Sequence, residues 1–123
     1  MNVEEPPAAA RMDEREKRIG LNEAVFRELN DRLQSVNETF ATFTEKFEIV
    51  CECGDSGCIE RITLAATEYE AVRADAALFV VVPGHDATDV EEVVRSGEGY
   101  DVIRKHEGRP RELAAQTDPR EKT

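Results

Sequence analysis

The chain contains no apolar run long enough to cross a membrane. Its longest strongly apolar stretch, Ala76 to Val82, falls far short of the roughly 20 residues a spanning helix needs. It carries no cluster of lysines and arginines either. The formal net charge is −11, and the cations are scattered. Binding to phosphate backbones requires clustered cations that displace counterions, so direct nucleic-acid binding is not expected. Glu4, Glu5 and two prolines stand where a secretory leader would place basic and then apolar residues. A cytoplasmic protein is the expectation. No Gly-rich phosphate loop, no Ser-His-Asp-like grouping, no internal repeat and no low-complexity tract is visible.

Cysteine is scarce and oddly placed. There are three cysteines, all within Cys51-Glu-Cys-Gly-Asp-Ser-Gly-Cys58. A disulfide framework would be even in number and spread along the chain. Clustered thiolates in a reducing compartment suit a metal better. Zinc takes sulfur and imidazole ligands in a tetrahedron. An extended, turning C-x-C pair can reach one ion, and the glycines let the loop fold back so that Cys58 approaches the same ion. Cys51, Cys53 and Cys58 are therefore the candidate metal ligands.

A structural site wants a fourth ligand, and the chain has two histidines. His85 follows an apolar strand and the rigid Pro83-Gly84 turn. His106 lies in a charged stretch near the C-terminus. His85 is favoured because a turn at a strand end fixes ligand geometry; Asp55 and Asp86 are fallbacks. The expected cofactor is one Zn²⁺, with an iron–sulfur cluster as the alternative. Glu52, between two ligands, raises the question of a catalytic zinc. The separate P-C-x-x-C ligand pair of zinc deaminases is missing, and three thiolates make zinc a weak Lewis acid.

The fold class expected is α+β: an N-terminal amphipathic helix followed by a small zinc-stabilised domain of short strands and two short helices. Residues 1–18 and 107–123 read as flexible arms, 19–46 as the helix and a linker, and 47–106 as the metal-binding domain. Apolar residues at Ile19, Phe26, Leu29, Leu33, Val36, Phe40, Phe43 and Phe47 alternate three and four apart and make one helical stripe. Asn22 is its one polar position. The confident helix begins near Leu21 and reaches at least Val36, with Phe40 to Phe47 ambiguous. Strands are expected from Phe47 into the cysteines, at Ile59–Leu64, Leu78–Val82 and Tyr100–Lys105. Short helices are expected at Thr67–Ala74, with Thr67 as N-cap, and at Thr88–Arg95.

Packing of the stripe within its own chain is the expected use. Phe26, Leu29, Leu33 and Val36 are the candidate residues for a protein partner or for self-association, in which Asn22 would fix register.

The eight-residue cysteine segment resembles the C-x-C-G-x-x-x-C zinc knuckle that follows the SET domain in many protein methyltransferases. That resemblance implies three cysteines sharing zinc with a ligand from elsewhere; no SET catalytic motif accompanies it. Over Leu21 to Arg120 the chain resembles a family of small uncharacterised actinobacterial proteins. The features are L-N-E-A-V-F-R-E-L-N-D-R, C-E-C-G-D-S-G-C-I-E-R-I, E-Y-E-A-V-R, F-V-V-V-P-G-H and T-D-P-R. The resemblance implies that P-G-H accompanies the cysteines, and it implies no activity.

These features point to a non-enzymatic zinc-binding protein, an interaction or regulatory module. The alternatives are a thiol-based redox or zinc-responsive switch and, behind it, a small enzyme with catalytic zinc.

Overall fold

A computed structural model describes residues 8–40 and 46–120. It is a small α+β fold. Helix α1 (Ala8–Phe40) is followed by strands β1 (Lys46–Val50) and β2 (Arg61–Ala65), then helix α2 (Ala66–Arg73) and strand β3 (Leu78–Val81). Strands β4 (Glu91–Gly97) and β5 (Tyr100–Lys105) and helix α3 (Arg109–Gln116) complete it. Among the described residues no helix is long and apolar enough to cross a membrane. Expectations placed on residues 1–7 and on the Phe43 region lie outside the described residues.

Alternation explains the first hairpin. β1 and β2 pair antiparallel, with Phe47 opposite Leu64 and Ile49 opposite Ile62. One face carries Ile49, Ile62 and Leu64 into the core; the other shows Glu48 and Arg61 to water, 3.0 Å apart. The chain turns at once into α2. The Glu68 carboxylate, not the expected Thr67 cap, accepts a hydrogen bond from the Ala65 amide at 2.9 Å and so satisfies a free donor of the first turn. Tyr69 and Val72 of α2 are fully buried. The Tyr69 ring meets Phe47 edge-on, centroids 5.8 Å apart.

The second sheet is antiparallel with strand order β3-β5-β4. β3 pairs Phe79 with Ile103 and Val80 with Val102. The segment expected to be a helix at Thr88–Arg95 is instead a turn leading into β4. Its helical tendency is spent in one turn, where the Val90 and Glu91 amides both donate to the Ala87 carbonyl, at 3.0 and 3.1 Å. Beyond it, the β-branched pair Val93-Val94 and the open edge of β5 favour a strand. The tertiary partner overrides the local pattern.

Helix α1 departs furthest from expectation. It begins at Ala8, well before Leu21, because Ala8 to Arg18 is built from good helix formers. The helix runs on through Gly20. That glycine lies where α3 crosses, and a Cβ there would stand 2.6 Å from Leu113 Cδ2. The segment expected to be a flexible tail accordingly folds: α3 starts with a proline in its first turn and buries Ala114.

The buried face of α1 is largely polar, with Ile19 and Ala24 as its buried apolar residues. Glu23, Arg27, Asn30 and Gln34 are at most 3% exposed, whereas Val25 is 64%, Val36 55% and Leu29 43% exposed. Phe26 and Leu33 are half-buried at the margin. Packing of the apolar stripe into the protein's own core therefore holds for Ile19 and Phe47 and is corrected for Leu29 and Val36, which face water. Asn22, expected to set register in a helix pair, donates to the Gly54 carbonyl of its own chain at 2.9 Å.

Each polar side chain meets a group that needs it. The Arg27 guanidinium donates to the Ala76 and Ala114 carbonyls at 2.7 and 2.8 Å and lies 4.3 Å from the centre of the Phe79 ring. Lys105 sits between Glu23 at 2.7 Å and Glu91 at 2.8 Å, with all three side chains at most 1% exposed. Arg73 is gripped by Asp31 and Asp118, and Arg120 by Glu70 and Asp31. Thus T-D-P-R, the last quoted element of the sequence resemblance, ties the C-terminal segment to α1 and α2.

Candidate metal centre

The site is built where the first hairpin meets the second sheet. Leaving β1, the chain stays extended, so Cys51 and Cys53 project to one side and Glu52 to the other. The Cys51 amide donates to the Glu60 carbonyl at 3.0 Å, and the Glu52 amide donates to the Val80 carbonyl at 2.8 Å. The C-x-C segment is thereby held between the return of β2 and strand β3.

The loop then reverses. The Asp55 carboxylate accepts from the Gly57 amide at 2.9 Å, and its carbonyl accepts from the Cys58 amide at 3.0 Å. These local bonds carry Cys58 back toward the first two cysteines. The fourth group arrives on a different turn. Val82-Pro83-Gly84-His85 closes with the His85 amide donating to the Val82 carbonyl at 2.9 Å. Gly84 has φ +90°, the third-position conformation that a proline–glycine turn of this type requires.

The structure brings Cys51, Cys53, Cys58 and His85 together, one ligand atom from each within 4.8 Å of the others. His85 Nδ1 lies 3.5 Å from Cys51 Sγ and 3.7 Å from Cys58 Sγ. Tetrahedral zinc with Zn–S near ~2.3 Å and Zn–N near ~2.0 Å would separate sulfur and nitrogen by about 3.5 Å. The donor set and these two distances are compatible with one such ion. His106 is not in the cluster; its amide pairs with the Val90 carbonyl at 2.8 Å. Among the described residues, Asp55 and Asp86 do not join it either.

Burial has a chemical consequence for the thiols. Cys51 and Cys53 are 1% and 2% exposed, and desolvation pushes both thiols above the usual cysteine range. Without a cation to offset that cost they stay protonated and unreactive. A bound metal reverses the preference, because thiolate then faces positive charge. The Val82 amide already donates to Cys51 Sγ at 3.1 Å, an interaction that stabilises sulfur as an anion.

Glu52, the conceivable general base, turns its carboxylate away from the thiols. It is fully buried. One oxygen accepts from the Val80 amide at 3.0 Å, the other from Asn30 Nδ2 at 2.8 Å and the Tyr69 hydroxyl at 2.9 Å. Burial raises its proton affinity, against these three donors, which favour the ionised form. Asn30 in turn exchanges two hydrogen bonds with the backbone of Val50, at 2.8 and 2.9 Å. The residue between the two ligands is therefore an anchor joining the knuckle to α1, α2 and β3. Sequence reasoning misses this anchoring. Its one signal is the polar series Glu23, Arg27, Asn30 and Gln34, which has helical spacing of its own.

Comparison of the chain with protein-family models, with curated proteins and with solved structures yields no match.

Proposed function

We propose that this chain is a non-enzymatic zinc-binding protein of a reducing compartment, an interaction or regulatory module whose domain is held together by one Zn²⁺. The convergence of three sulfurs and one imidazole nitrogen, from a knuckle and a distant turn, carries the reading. Four ligand atoms so close together leave room for one ion rather than a multi-iron cluster. A full set of four protein ligands leaves no position for an activated water, and Glu52 is engaged on the opposite side of the extended chain. Both observations favour a structural role over a catalytic one.

The zinc ties β1 and the knuckle to the end of β3, so its removal should loosen the whole domain. Protein prepared under reducing conditions should contain about one zinc per chain. Cys58→Ser should abolish stoichiometric metal, and His85→Ala should weaken it more than His106→Ala. Acidification should release the ion as protons compete for the thiolates. Metal-free protein whose melting curve a chelator leaves unchanged would refute the proposal.

One observation keeps a zinc- or redox-responsive switch as the second reading. Cys58 is less buried than the other two cysteines and sits on an exposed loop, where an oxidant would arrive first. Mild peroxide that releases zinc, with recovery on adding reductant and zinc, would favour it.

A further inference from the structure

Because α1 docks from Glu23 to Gln34 through polar side chains, the apolar row from Val25 to Val36 is left outside. Val25, Leu29 and Val36 point to water, on the side of the helix opposite Arg27 and Gln34. Glu28 and Arg32 stand among them, 2.9 Å apart and well exposed. Val25, Glu28, Leu29 and Arg32 line a shallow groove of about 220 Å³. Their spacing of i, i+3, i+4 and i+7 is the four-residue hole that receives a side chain from a facing helix.

We infer that this face pairs with the same face of a second copy of the chain, antiparallel, about a two-fold axis between the positions of Asn30 and Asp31. This rests on the interaction-module reading and names its partner. The row is complementary to itself. Under that axis Val25 meets the partner's Val36, and Leu29 meets the aliphatic stem of the partner's Arg32. The guanidinium of each Arg32 then reaches the partner's Glu28. Half-buried Phe26 and Leu33 face each other along one flank. A parallel pair would instead stack Arg32 on Arg32 near the seam, which like charges oppose. The charges also select the surface. The chain carries a net −11, yet Glu28 and Arg32 balance one another here, so two acidic molecules can approach at this face without local repulsion.

The contact spans only about three helical turns, so the dimer should be weak and reversible, with Kd on the order of 10–100 µM. Sedimentation of the zinc-loaded full chain from about 5 to about 500 µM should show monomer passing to dimer. Arg32→Glu and Glu28→Lys should each weaken it about tenfold or more, and the double exchange should restore it. Leu29→Asp should abolish it with an unchanged melting curve. A photo-crosslinking phenylalanine analogue at Val25 should capture the peptide containing Val36. A monomer at every concentration overturns the pairing, as does a dimer indifferent to Leu29→Asp and Arg32→Glu. Capture of the peptide containing Val25 itself overturns the antiparallel arrangement. Should Leu29→Asp unfold, the Arg32 and Glu28 exchanges still decide. Zinc content is measured on the same samples: zinc-loaded monomers refute only the pairing, and dimers without zinc refute only the metal reading.

Discussion

Replacing Glu23 by glutamine should leave the protein folded and should change how its stability depends on pH. Glu23 is buried together with Lys105 and Glu91, and its second carboxylate oxygen has no hydrogen-bond partner among the described residues. Two carboxylates share one ammonium there. Burial first, and then the neighbouring Glu91, raises the Glu23 pKa well above the ordinary carboxylate value, against the attraction of Lys105. The folded protein thus holds a proton that the unfolded chain releases. Below the unfolded pKa the group's full contribution is present. Above it, stability falls by about 1.4 kcal/mol per pH unit until the folded pKa is passed. The substituted amide is neutral at every pH and still offers an oxygen to Lys105, so the Glu23→Gln variant lacks this slope. Urea unfolding of both proteins from the ordinary carboxylate range upward, with zinc held saturating, isolates the effect, because the difference cancels every other titrating group. The variant should gain on the wild type as pH rises. Lys105→Met, which leaves the buried carboxylates without their cation, should cost about 3–5 kcal/mol. A stability gap between wild type and Glu23→Gln that is flat across the range would refute the account of a proton held on Glu23.

Three further outcomes follow from the packing. Asn30→Ala strips partners from both backbone groups of Val50 and one from Glu52; at about 1–3 kcal/mol for each buried group left unsatisfied, denaturant melts should show a loss of several kcal/mol and a weaker hold on zinc. Leu29→Ala should change monomer stability by less than about 0.5 kcal/mol because the side chain is exposed, whereas Ile49→Val in the core should cost about 0.5–1.5 kcal/mol. Hydrogen exchange should find the amides of Glu112 and Thr117 protected, since they bond to Gly108 and Leu113; exchange there as fast as in an unfolded peptide would show that α3 does not dock.

The cysteine–histidine cluster was legible because its chemistry is local. C-x-C, a glycine-flanked return and Pro-Gly-His each specify their own backbone path with little help from the rest of the chain, and both turns form as their residues require. The strands Lys46–Val50, Arg61–Ala65, Leu78–Val81 and Tyr100–Lys105 were legible for the same reason, since alternating or continuous apolar residues fit a half-buried or fully buried pleat. What sequence alone left undecided was every choice between two permissible partners. Thr88 to Arg95 suits a helix in isolation; the open edge of β5 makes most of it a strand. Arg109 to Gln116 has too few apolar residues to suggest docking, yet the close approach allowed by Gly20 and the Arg27 bond to Ala114 seat it. On α1 the sequence determined only that a helix forms with two faces, one apolar and one polar. Which face turns inward was decided by the tertiary structure, because the buried carbonyls of Ala76 and Ala114, the backbone of Val50 and the ammonium of Lys105 need polar partners, and Glu23, Arg27 and Asn30 supply them from α1.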